Sequence, residues 1–294
     1  MTEWWIKRYG DSRTSLGRFL TRHAANCWLP VVYSLTRIPE GRPVIPVEVS
    51  LTSFPARMPR LWLTVESLLR QTVRPARLVI RLARNQFPQG EQDLPHRLTR
   101  LLKHGVSIDW VEEDLRSYKK FFPAWPVKDG LALVTVDDDI FYPTRLLECL
   151  WQKHLEQPTA VIAAYTHRMT YDAKGELEAY QQWEFRTEQQ DAHLFFGSGG
   201  GTLFPEGSLD TDAARRDLAL QLCPRADDIW LNAMTRLKGT PILRADLSSS
   251  ILPVLNRRTE NLARTNLDLG DNDRQLKALR DYYRQTRKQD PFRP

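Results

Sequence analysis

The chain has 294 residues, of which 41% are hydrophobic and 27% are charged, the composition of a globular protein with a substantial core. Its net charge of +6 is concentrated at the ends. Residues 1–45 hold seven Lys/Arg against three Asp/Glu, residues 256–294 hold ten against six, and residues 46–255 hold 25 against 27. This slightly acidic body argues against a nucleic-acid partner, which usually requires positive charge around the site.

Cysteine usage and hydropathy favour a cytoplasmic protein. The three cysteines are far apart and form no zinc or disulfide pattern: Cys27, Cys149 and Cys223. No signal peptide is visible, and no apolar run approaches the ~20 residues that a membrane-spanning helix needs.

The basic N-terminal extension contains a predicted amphipathic helix over residues 13–29. Arg18 and Arg22 lie on one side of it. The opposite side carries Leu16, Phe19, Leu20, Ala24 and Cys27. This apolar side either packs against the main domain or lies peripherally on the inner face of a membrane. The basic termini are compatible with an anionic surface and equally with simple solvation.

Strand and helix patterns alternate after a linker at residues 40–46. The predicted strands are 47–53, 77–82, 106–111, 131–136 and 160–165, and the predicted helices are 60–71, 93–104, 117–125 and 143–157. Alternation at this spacing predicts an α/β fold with a mostly parallel central sheet.

The pattern changes after residue 166. The predicted elements there are a hairpin over 169–182, a flexible glycine loop over 197–201, helices over 211–222 and 228–238, a strand over 240–243 and a last helix over 272–289. This second half is therefore predicted to be mixed rather than regularly alternating.

Three consecutive aspartates follow the apolar run at 131–136: Asp137, Asp138 and Asp139. Adjacent carboxylates are costly to bury without a cation. Side chains alternate along an extended segment, so Asp137 and Asp139 should project together while Asp138 points away. Two carboxylates at the carboxyl end of a buried strand, where open α/β sheets bind ligands, predict a Mg²⁺ or Mn²⁺ site. The alternative is a solvated acidic turn that caps the next helix.

These features together resemble a bacterial, family-2-like glycosyltransferase of the GT-A fold, of the type that builds lipopolysaccharide or capsule glycans. The matching segments are Ser50-Leu-Thr-Ser-Phe-Pro55, Val65-Glu-Ser-Leu-Leu-Arg-Gln-Thr72, the DXD-like Val134-Thr-Val-Asp-Asp-Asp-Ile140, and Ala226-Asp-Asp-Ile-Trp230. The likeness covers roughly residues 47–250. It implies a Rossmann-like sheet flanked by helices, with a mixed acceptor-side half and helical extensions at both ends.

The resemblance also implies a domain division. Residues 1–45 would be the basic N-terminal extension, and residues 256–294 a basic C-terminal helical segment. The catalytic domain would span residues 46–255, with its nucleotide-binding half at about 46–140 and its acceptor half at about 141–255.

A protein of this family would be an inverting, metal-dependent hexosyltransferase with a nucleotide-sugar donor, a UDP-sugar being favoured, and a glycan or lipid-linked glycan acceptor. Mn²⁺ or Mg²⁺ would offset the charge that grows on the leaving diphosphate. Asp139 should ligate the metal, together with Asp137. Asp137 should also accept hydrogen bonds from the ribose, and Asp138 should assist through water or backbone packing.

The later acidic pair supplies the expected catalytic base. In an inverting transferase a carboxylate deprotonates the attacking hydroxyl. Alignment with the Glu-Asp of the family pattern places the base at Asp228 and leaves Asp227 to orient the acceptor. Asp replaces that Glu here, so the choice between the two neighbours stays open. Asp227 has a structural alternative as the cap of the next helix.

Further candidates lie around the expected pocket. Lys119, Lys120, Ser53 and Arg57 are candidates for donor binding, with a solvated surface as the alternative for the lysines. Gly199 and Gly200 bring backbone N–H groups near donor phosphate or acceptor, unless they form a plain flexible loop. Trp230 stacks on a sugar ring or packs in the core. His167 and His193 are lesser candidates as metal ligands.

Two rival functions remain. A nucleotidyltransferase or phosphohydrolase also uses carboxylate-bound Mg²⁺, but a nucleotidyltransferase favours a glycine-rich phosphate loop after the first strand, and residues 52–57 contain no glycine. A non-catalytic carbohydrate-binding or scaffold subunit would be expected to lose one of the two acidic motifs, and this chain has both.

Overall fold

A seven-stranded β-sheet forms the centre of the molecule. The structure is a computed structural model and describes residues 2–248, 250–256 and 270–294. The described strands are β1 (Val44–Thr52), β2 (Arg74–Ala83), β3 (Val106–Val111), β4 (Ala132–Val136), β5 (Ile140–Phe141), β6 (Val161–Ala163), β7 (Thr166–Arg168), β8 (Leu194–Phe196), β9 (Gly200–Phe204), β10 (Ile242–Arg244) and β11 (Leu252–Pro253). The sheet order is β10-β6-β9-β4-β1-β2-β3. All neighbouring pairs are parallel except those of β9 with β4 and β6. The predicted α/β class with a mostly parallel sheet is confirmed.

Helices cover both faces of this sheet. Those described are α1 (Thr2–Asp11), α2 (Ser15–Leu35), α3 (Met58–Leu69), α4 (His96–Leu102), α5 (Leu146–Glu156), α6 (Arg216–Leu222), α7 (Asp227–Lys238) and α8 (Asp271–Arg287). Val134 and Val136 of β4 belong to a hydrophobic cluster with α1 to α5, whereas Leu133 belongs to a second cluster with α6 to α8. Because both faces are covered, β4 is a continuous apolar run.

The carboxyl edge of the sheet collects the polar segments that follow the central strands. β1 and β4 are parallel neighbours, with Ser50 opposite Thr135, so both strands end at the same edge. Ser53 follows β1 there, and Asp137 follows β4. The short 3₁₀ helix Arg116–Lys120 after β3 also contacts β1.

Both terminal extensions contribute to the core. Ile6 of α1 and Leu29 and Tyr33 of α2 are buried in the first cluster, and Leu279 of α8 is buried in the second. β1 begins at Val44, shortly before the predicted start of the main domain. Residues 257–269 of the predicted C-terminal segment lie outside the described residues.

Several elements differ from the sequence prediction. The helix predicted over 117–125 is only the 3₁₀ turn Arg116–Lys120, because Pro123 inside the predicted range cannot continue a helix. The hairpin predicted over 169–182 makes its turn near Gly175, whose N–H donates to the Asp172 carbonyl at 2.9 Å, but two isolated antiparallel bridges, Tyr171–Leu177 and Arg168–Glu184, take the place of a continuous ladder. The antiparallel ladder of this region instead joins β7 to β8, which is distant in sequence.

Two further observations concern the N-terminal helices. α1 was not predicted, because its 10 residues give too short a pattern. In the described part of the chain, no helix has both the length and the apolarity that a membrane span requires.

Candidate functional site

The three aspartates after β4 face in two directions. Asp138 points inward: its side chain is 6% exposed, and it accepts a hydrogen bond from Ser53 Oγ at 2.5 Å. Its backbone carbonyl accepts from Thr64 Oγ1 at 2.9 Å. The side chains of Asp137 and Asp139 are 43% and 38% exposed. This arrangement buries the middle carboxylate as a structural anchor and leaves the outer two accessible.

Arg57 balances the inner part of the acidic segment. Its Nη1 atom contacts Asp138 Oδ1 and lies 3.0 Å from Asp139 Oδ2. Arg57 is the last residue before α3, and its guanidinium also lies over the Phe54 ring. Burial raises the pKa of Asp139 to about 7, Arg57 opposes this rise, and the charges of Asp138 and Asp137 add to it. Asp139 is therefore a carboxylate whose charge depends on a nearby cation.

Lys120 connects the two acidic motifs. Its Nζ atom is buried and lies 2.7 Å from Asp137 Oδ1 and 3.1 Å from Asp227 Oδ2. Burial alone would lower the pKa of Lys120, but the carboxylates of Asp137 and Asp227 outweigh burial and raise it above its usual value. The lysine therefore stays charged. Its backbone carbonyl accepts from Ser50 Oγ at 2.6 Å, which fixes the turn to β1.

The second acidic pair opens α7, where a helix N-terminus favours negative charge. The helix cap is Ala226, so neither aspartate serves as the N-cap that the sequence left open. Ser198 holds both carboxylates: its Oγ donates to Asp227 Oδ2 at 2.7 Å, and its backbone N–H donates to Asp228 Oδ1 at 2.7 Å.

The pKa values of the two members of this pair shift in opposite directions. Burial would raise the pKa of Asp227, but Lys120 and the hydrogen bond from Ser198 lower it below its usual value. Burial and the charge of Asp227 raise the pKa of Asp228 to about 7, against the opposing effect of Lys120. Such splitting of neighbouring carboxylates is typical of acid–base sites.

The glycine segment at 197–201 is an ordered support rather than a flexible loop. The backbone N–H of Asp137 donates to the Gly199 carbonyl at 3.0 Å. A Cβ atom on Gly199 would collide with the Asp137 carboxylate, and one on Gly200 would collide with Tyr165. The N–H groups of Gly197 and Gly200 are used internally, the former by the Tyr165 carbonyl.

Two predicted residues lie apart from the acidic groups. Trp230 is fully buried in the second cluster, and its indole N–H donates to the Ala213 carbonyl at 3.4 Å, so it packs in the core instead of stacking on a sugar. The Lys119 ammonium pairs with Asp114, so of the two neighbouring lysines Lys120 is the one that reaches the aspartates.

Sequence reasoning did not single out two residues that position the site. Tyr142 Oη accepts from the Asp137 N–H at 2.8 Å and donates to the Gly199 carbonyl. Ser198 organises the acidic pair of α7. Ser198 lies inside the glycine run that the sequence did mark, and Tyr142 follows the triplet by three residues, so a polar side chain in or beside a marked segment was the available signal.

The donor set of Asp137 and Asp139 fits a divalent cation. Mg²⁺ is commonly held by one or two carboxylates, with water and substrate phosphates filling the other positions. Among the residues that the structure describes, no three His, Cys, Asp or Glu side chains form a closed metal site, and neither His167 nor His193 joins the aspartates. The pair therefore suits a cation whose coordination is completed by a substrate.

Comparison with known proteins defines the fold more closely. No family model and no curated protein matches the sequence. The structure matches 249 solved chains, so this fold is common and does not alone select an activity. One of them is a mannosyltransferase from Pyrobaculum calidifontis in complex with GDP-Man and Mn²⁺. The TM-score is 0.53 and the identity 12%, over 100% of this chain and 79% of that chain. The predicted GT-A-type fold is thereby confirmed.

Proposed function

We propose that this protein is a metal-dependent glycosyltransferase that moves a sugar from a nucleotide-sugar donor to a hydroxyl group of a glycan acceptor. One observation carries the proposal: two accessible carboxylates, Asp137 and Asp139, lie at the carboxyl edge of the sheet, and Lys120 connects Asp137 to Asp227 of a second carboxylate pair. The mannosyltransferase of the same fold was solved with a nucleotide sugar and Mn²⁺, which supports this class of donor and cofactor.

The donor side of the site would bind the diphosphate. Asp139 and Asp137 would hold Mn²⁺ or Mg²⁺, which when bound offsets the negative charge on the leaving group. Arg57, with a side chain 15% exposed, and buried Lys120 lie against these carboxylates and add positive charge at the same place. Asp138 with Ser53 fixes the backbone from which Asp137 and Asp139 project.

The acceptor side would perform proton transfer. A bond forms between the acceptor oxygen and the anomeric carbon as the bond from that carbon to the diphosphate breaks. The hydroxyl proton passes to Asp228, and the electron pair leaves with the diphosphate. Asp227, held anionic by Lys120, orients the site and favours the developing positive charge on the sugar.

The nucleobase of the donor sugar nucleotide and the biological setting are finer parts of the proposal. The sequence resemblance favours a UDP-sugar, inversion at the anomeric carbon and a hexosyl group, whereas the solved mannosyltransferase is in complex with GDP-Man. The same resemblance favours a glycan or lipid-linked glycan of bacterial lipopolysaccharide or capsule as acceptor. UDP-sugars and GDP-sugars should therefore both be tested.

Ligand binding with and without metal tests the donor site. A ligand at about 100 times its Kd stabilises the native state by about 2.7 kcal/mol, so a bound nucleotide sugar should raise the melting temperature. Because the metal would hold the diphosphate, we expect UDP- or GDP-sugars to cause this rise only when Mn²⁺ is present. Asp139→Asn should abolish the Mn²⁺-dependent rise. The matched control is Asp129→Asn, which removes a carboxylate whose side chain is 75% exposed and which pairs with Arg77.

The result also separates the rival functions. If Asp139→Asn binds the nucleotide with Mn²⁺ as well as the wild type does, the metal site is misplaced. Analysis of products under the same conditions distinguishes sugar transfer from the release of monophosphate or pyrophosphate by a phosphohydrolase or nucleotidyltransferase. Tight binding with no product on any acceptor would identify a carbohydrate-binding subunit.

A further inference from the structure

The N-terminal helices expose a continuous apolar strip to solvent. α2 is 21 residues long, about 32 Å, and contains the predicted amphipathic segment. Its inward side buries Thr21, Ala25, Asn26, Leu29 and Tyr33. We call the outward side the α2 surface; it comprises Leu16, Phe19, Leu20, Trp28, Val31 and Leu35 of α2 and Trp4 of α1, all exposed large hydrophobics. The apolar side predicted from sequence therefore faces away from the core.

The degree of exposure is unusual for such residues. Leu16 is 65% exposed, Trp28 53% and Leu35 80%. Single exposed hydrophobics need no explanation, but a strip along one helix marks an interaction surface.

Basic side chains lie beside this strip. Lys7 and Arg8 are exposed on α1, and the Arg22 guanidinium lies over the Phe19 ring, 5.9 Å from its centroid. A cavity of about 580 Å³ between α1 and α2 is lined by Trp4, Lys7, Arg8, Asp11, Ser12, Gly17, Leu20 and Thr21. It thus joins two members of the α2 surface to two cationic groups, with Asp11 as the one carboxylate in its lining. The Arg8 guanidinium also lies over the Trp4 ring, 5.2 Å from its centroid.

We propose that the α2 surface binds an anionic lipid membrane, with its apolar side chains at the boundary between headgroups and acyl chains and Lys7 and Arg8 at lipid phosphates. Aliphatic and tryptophan side chains on one side of a helix, with flanking Lys and Arg, have the chemistry of a helix that lies in the plane of a membrane surface. The positive charge favours anionic lipid over a neutral apolar partner.

Hydrogen bonds connect the buried side of α2 to the candidate site. Asn26, on the buried side of α2, donates to the Pro253 carbonyl at 2.9 Å and accepts from the Leu255 N–H at 2.8 Å. Between them, the Val254 N–H donates to the Asp139 carbonyl at 2.7 Å. A membrane bound on the outer side of α2 would be held in fixed relation to Asp139. A lipid-linked acceptor fits this placement, a point that rests on the proposed function; membrane binding does not.

Co-sedimentation of the full chain with vesicles tests the proposal without donor or metal, so its outcome is independent of the proposed activity. We expect binding to phosphatidylcholine vesicles that contain phosphatidylglycerol, and weak binding to phosphatidylcholine alone. Leu20→Ser/Trp28→Ser should weaken binding by about tenfold or more. Lys7→Gln/Arg8→Gln should weaken it by about fivefold for each charge removed, and the loss should shrink at high salt.

Two controls locate the contact. Leu155→Ser, which alters a side chain 62% exposed on α5, should leave binding unchanged. Cys27 is exposed on α2 while Cys149 and Cys223 are buried, so a polarity-sensitive dye can be attached at Cys27, and its emission should shift to the blue on anionic vesicles.

The proposal is overturned if the wild type binds neutral and anionic vesicles equally weakly. It is also overturned if light scattering shows a dimer that Leu20→Ser/Trp28→Ser converts to monomers while vesicle binding is absent, because a second copy of the chain would then cover the α2 surface.

Discussion

At the scale of single residues, the environment gives identical side chains different roles. Asp227 and Asp228 are adjacent aspartates, yet Lys120 lies 3.1 Å from the Asp227 carboxylate and keeps it anionic. Burial and the charge of Asp227 instead raise the pKa of Asp228 to about 7. A group that titrates near neutral pH is the better general base.

The first prediction concerns the pH dependence of turnover. A base works only when deprotonated, so kcat should rise as the pH increases through about 7, the raised pKa of Asp228. The profile should be measured at saturating donor and Mn²⁺, so that protonation of Asp139, whose pKa burial also raises to about 7, does not limit binding.

The second prediction concerns removal of the base. Asp228→Asn should lower kcat by about 10²- to 10⁴-fold, and the remaining activity should not depend on pH. Nucleotide binding should persist. Asp217→Asn, at an exposed carboxylate of α6, is the control and should keep wild-type turnover. Full activity in Asp228→Asn would move the base elsewhere, with Asp227 the next candidate.

From the sequence we marked the acidic residues of the candidate site and named Arg57 and Lys120 as candidates for donor binding, but not the pairing of these cations with the aspartates. The triplet and the pair at 227–228 are visible as runs of like charge, which are rare beside apolar segments. Lys120 and Asp227 are 107 positions apart, and only the folded sheet brings them together. Lys119 and Lys120 cannot be told apart by type. The turn after residue 115 decides which lysine faces the aspartates.

At the scale of elements, the glycine segment supports the triplet through direct backbone contact. Gly199 accepts hydrogen bonds from the Asp137 N–H and from Tyr142 Oη, and its missing Cβ leaves room for the Asp137 carboxylate. Gly200 then opens β9. The glycine-rich composition predicted a flexible loop, whereas the structure requires glycine for close packing at these positions.

Gly199→Ala should therefore displace the Asp137 carboxylate without unfolding the protein. We expect Mn²⁺-dependent nucleotide affinity to fall about 10- to 100-fold, the usual cost of disturbing a group that orients a metal ligand. The melting temperature should change little, because a side chain rather than backbone must move.

A double-mutant cycle checks this route. Asp137→Ala and Gly199→Ala/Asp137→Ala should bind nucleotide equally weakly, since the carboxylate that Gly199 accommodates is absent from both. A further loss in the double variant would show that the alanine distorts the backbone instead.

Strands and helices were predicted correctly where burial gives the sequence a periodic apolar pattern. They were predicted wrongly where contacts between residues distant in sequence decide the local structure. The strands of the first half and the helix at α7 have clear apolar patterns. Residues 117–125 have the composition of a helix, but Pro123 ends it early. The partner of β7 could not be read locally, because β8 lies about 25 residues later and pairing depends on how the second half folds back.

At the scale of the whole molecule, the terminal helices contribute buried side chains to the hydrophobic core. α8 packs Leu276, Leu279 and Tyr283 into the second hydrophobic cluster beside α7. Tyr283 Oη donates to Asp212 Oδ2 at 2.9 Å. Gln275 Oε1 accepts from the Arg225 N–H at 3.0 Å, which fixes the loop immediately before Asp227. The C-terminal helix therefore supports the acidic pair that opens α7.

Loss of a buried side chain on α8 should destabilise the whole fold. Leu279→Ala removes a fully buried leucine and should lower the free energy of unfolding by about 2–5 kcal/mol, measured by urea denaturation. Lys277→Ala, at a side chain 77% exposed on the same helix, should stay within about 0.5 kcal/mol of the wild type. Equal stabilities for the two variants would contradict the packing of α8 described above.

The hydrogen bonds of Asn26 have a consequence for protein engineering. Deleting the first two helices is an obvious way to remove the exposed tryptophans and leucines and so improve handling at high concentration. That deletion would also remove the carboxamide that holds Pro253 and Leu255, and with it the support of the chain that contacts Asp139. Replacing outward-facing side chains of α2 while keeping Asn26 is the safer redesign.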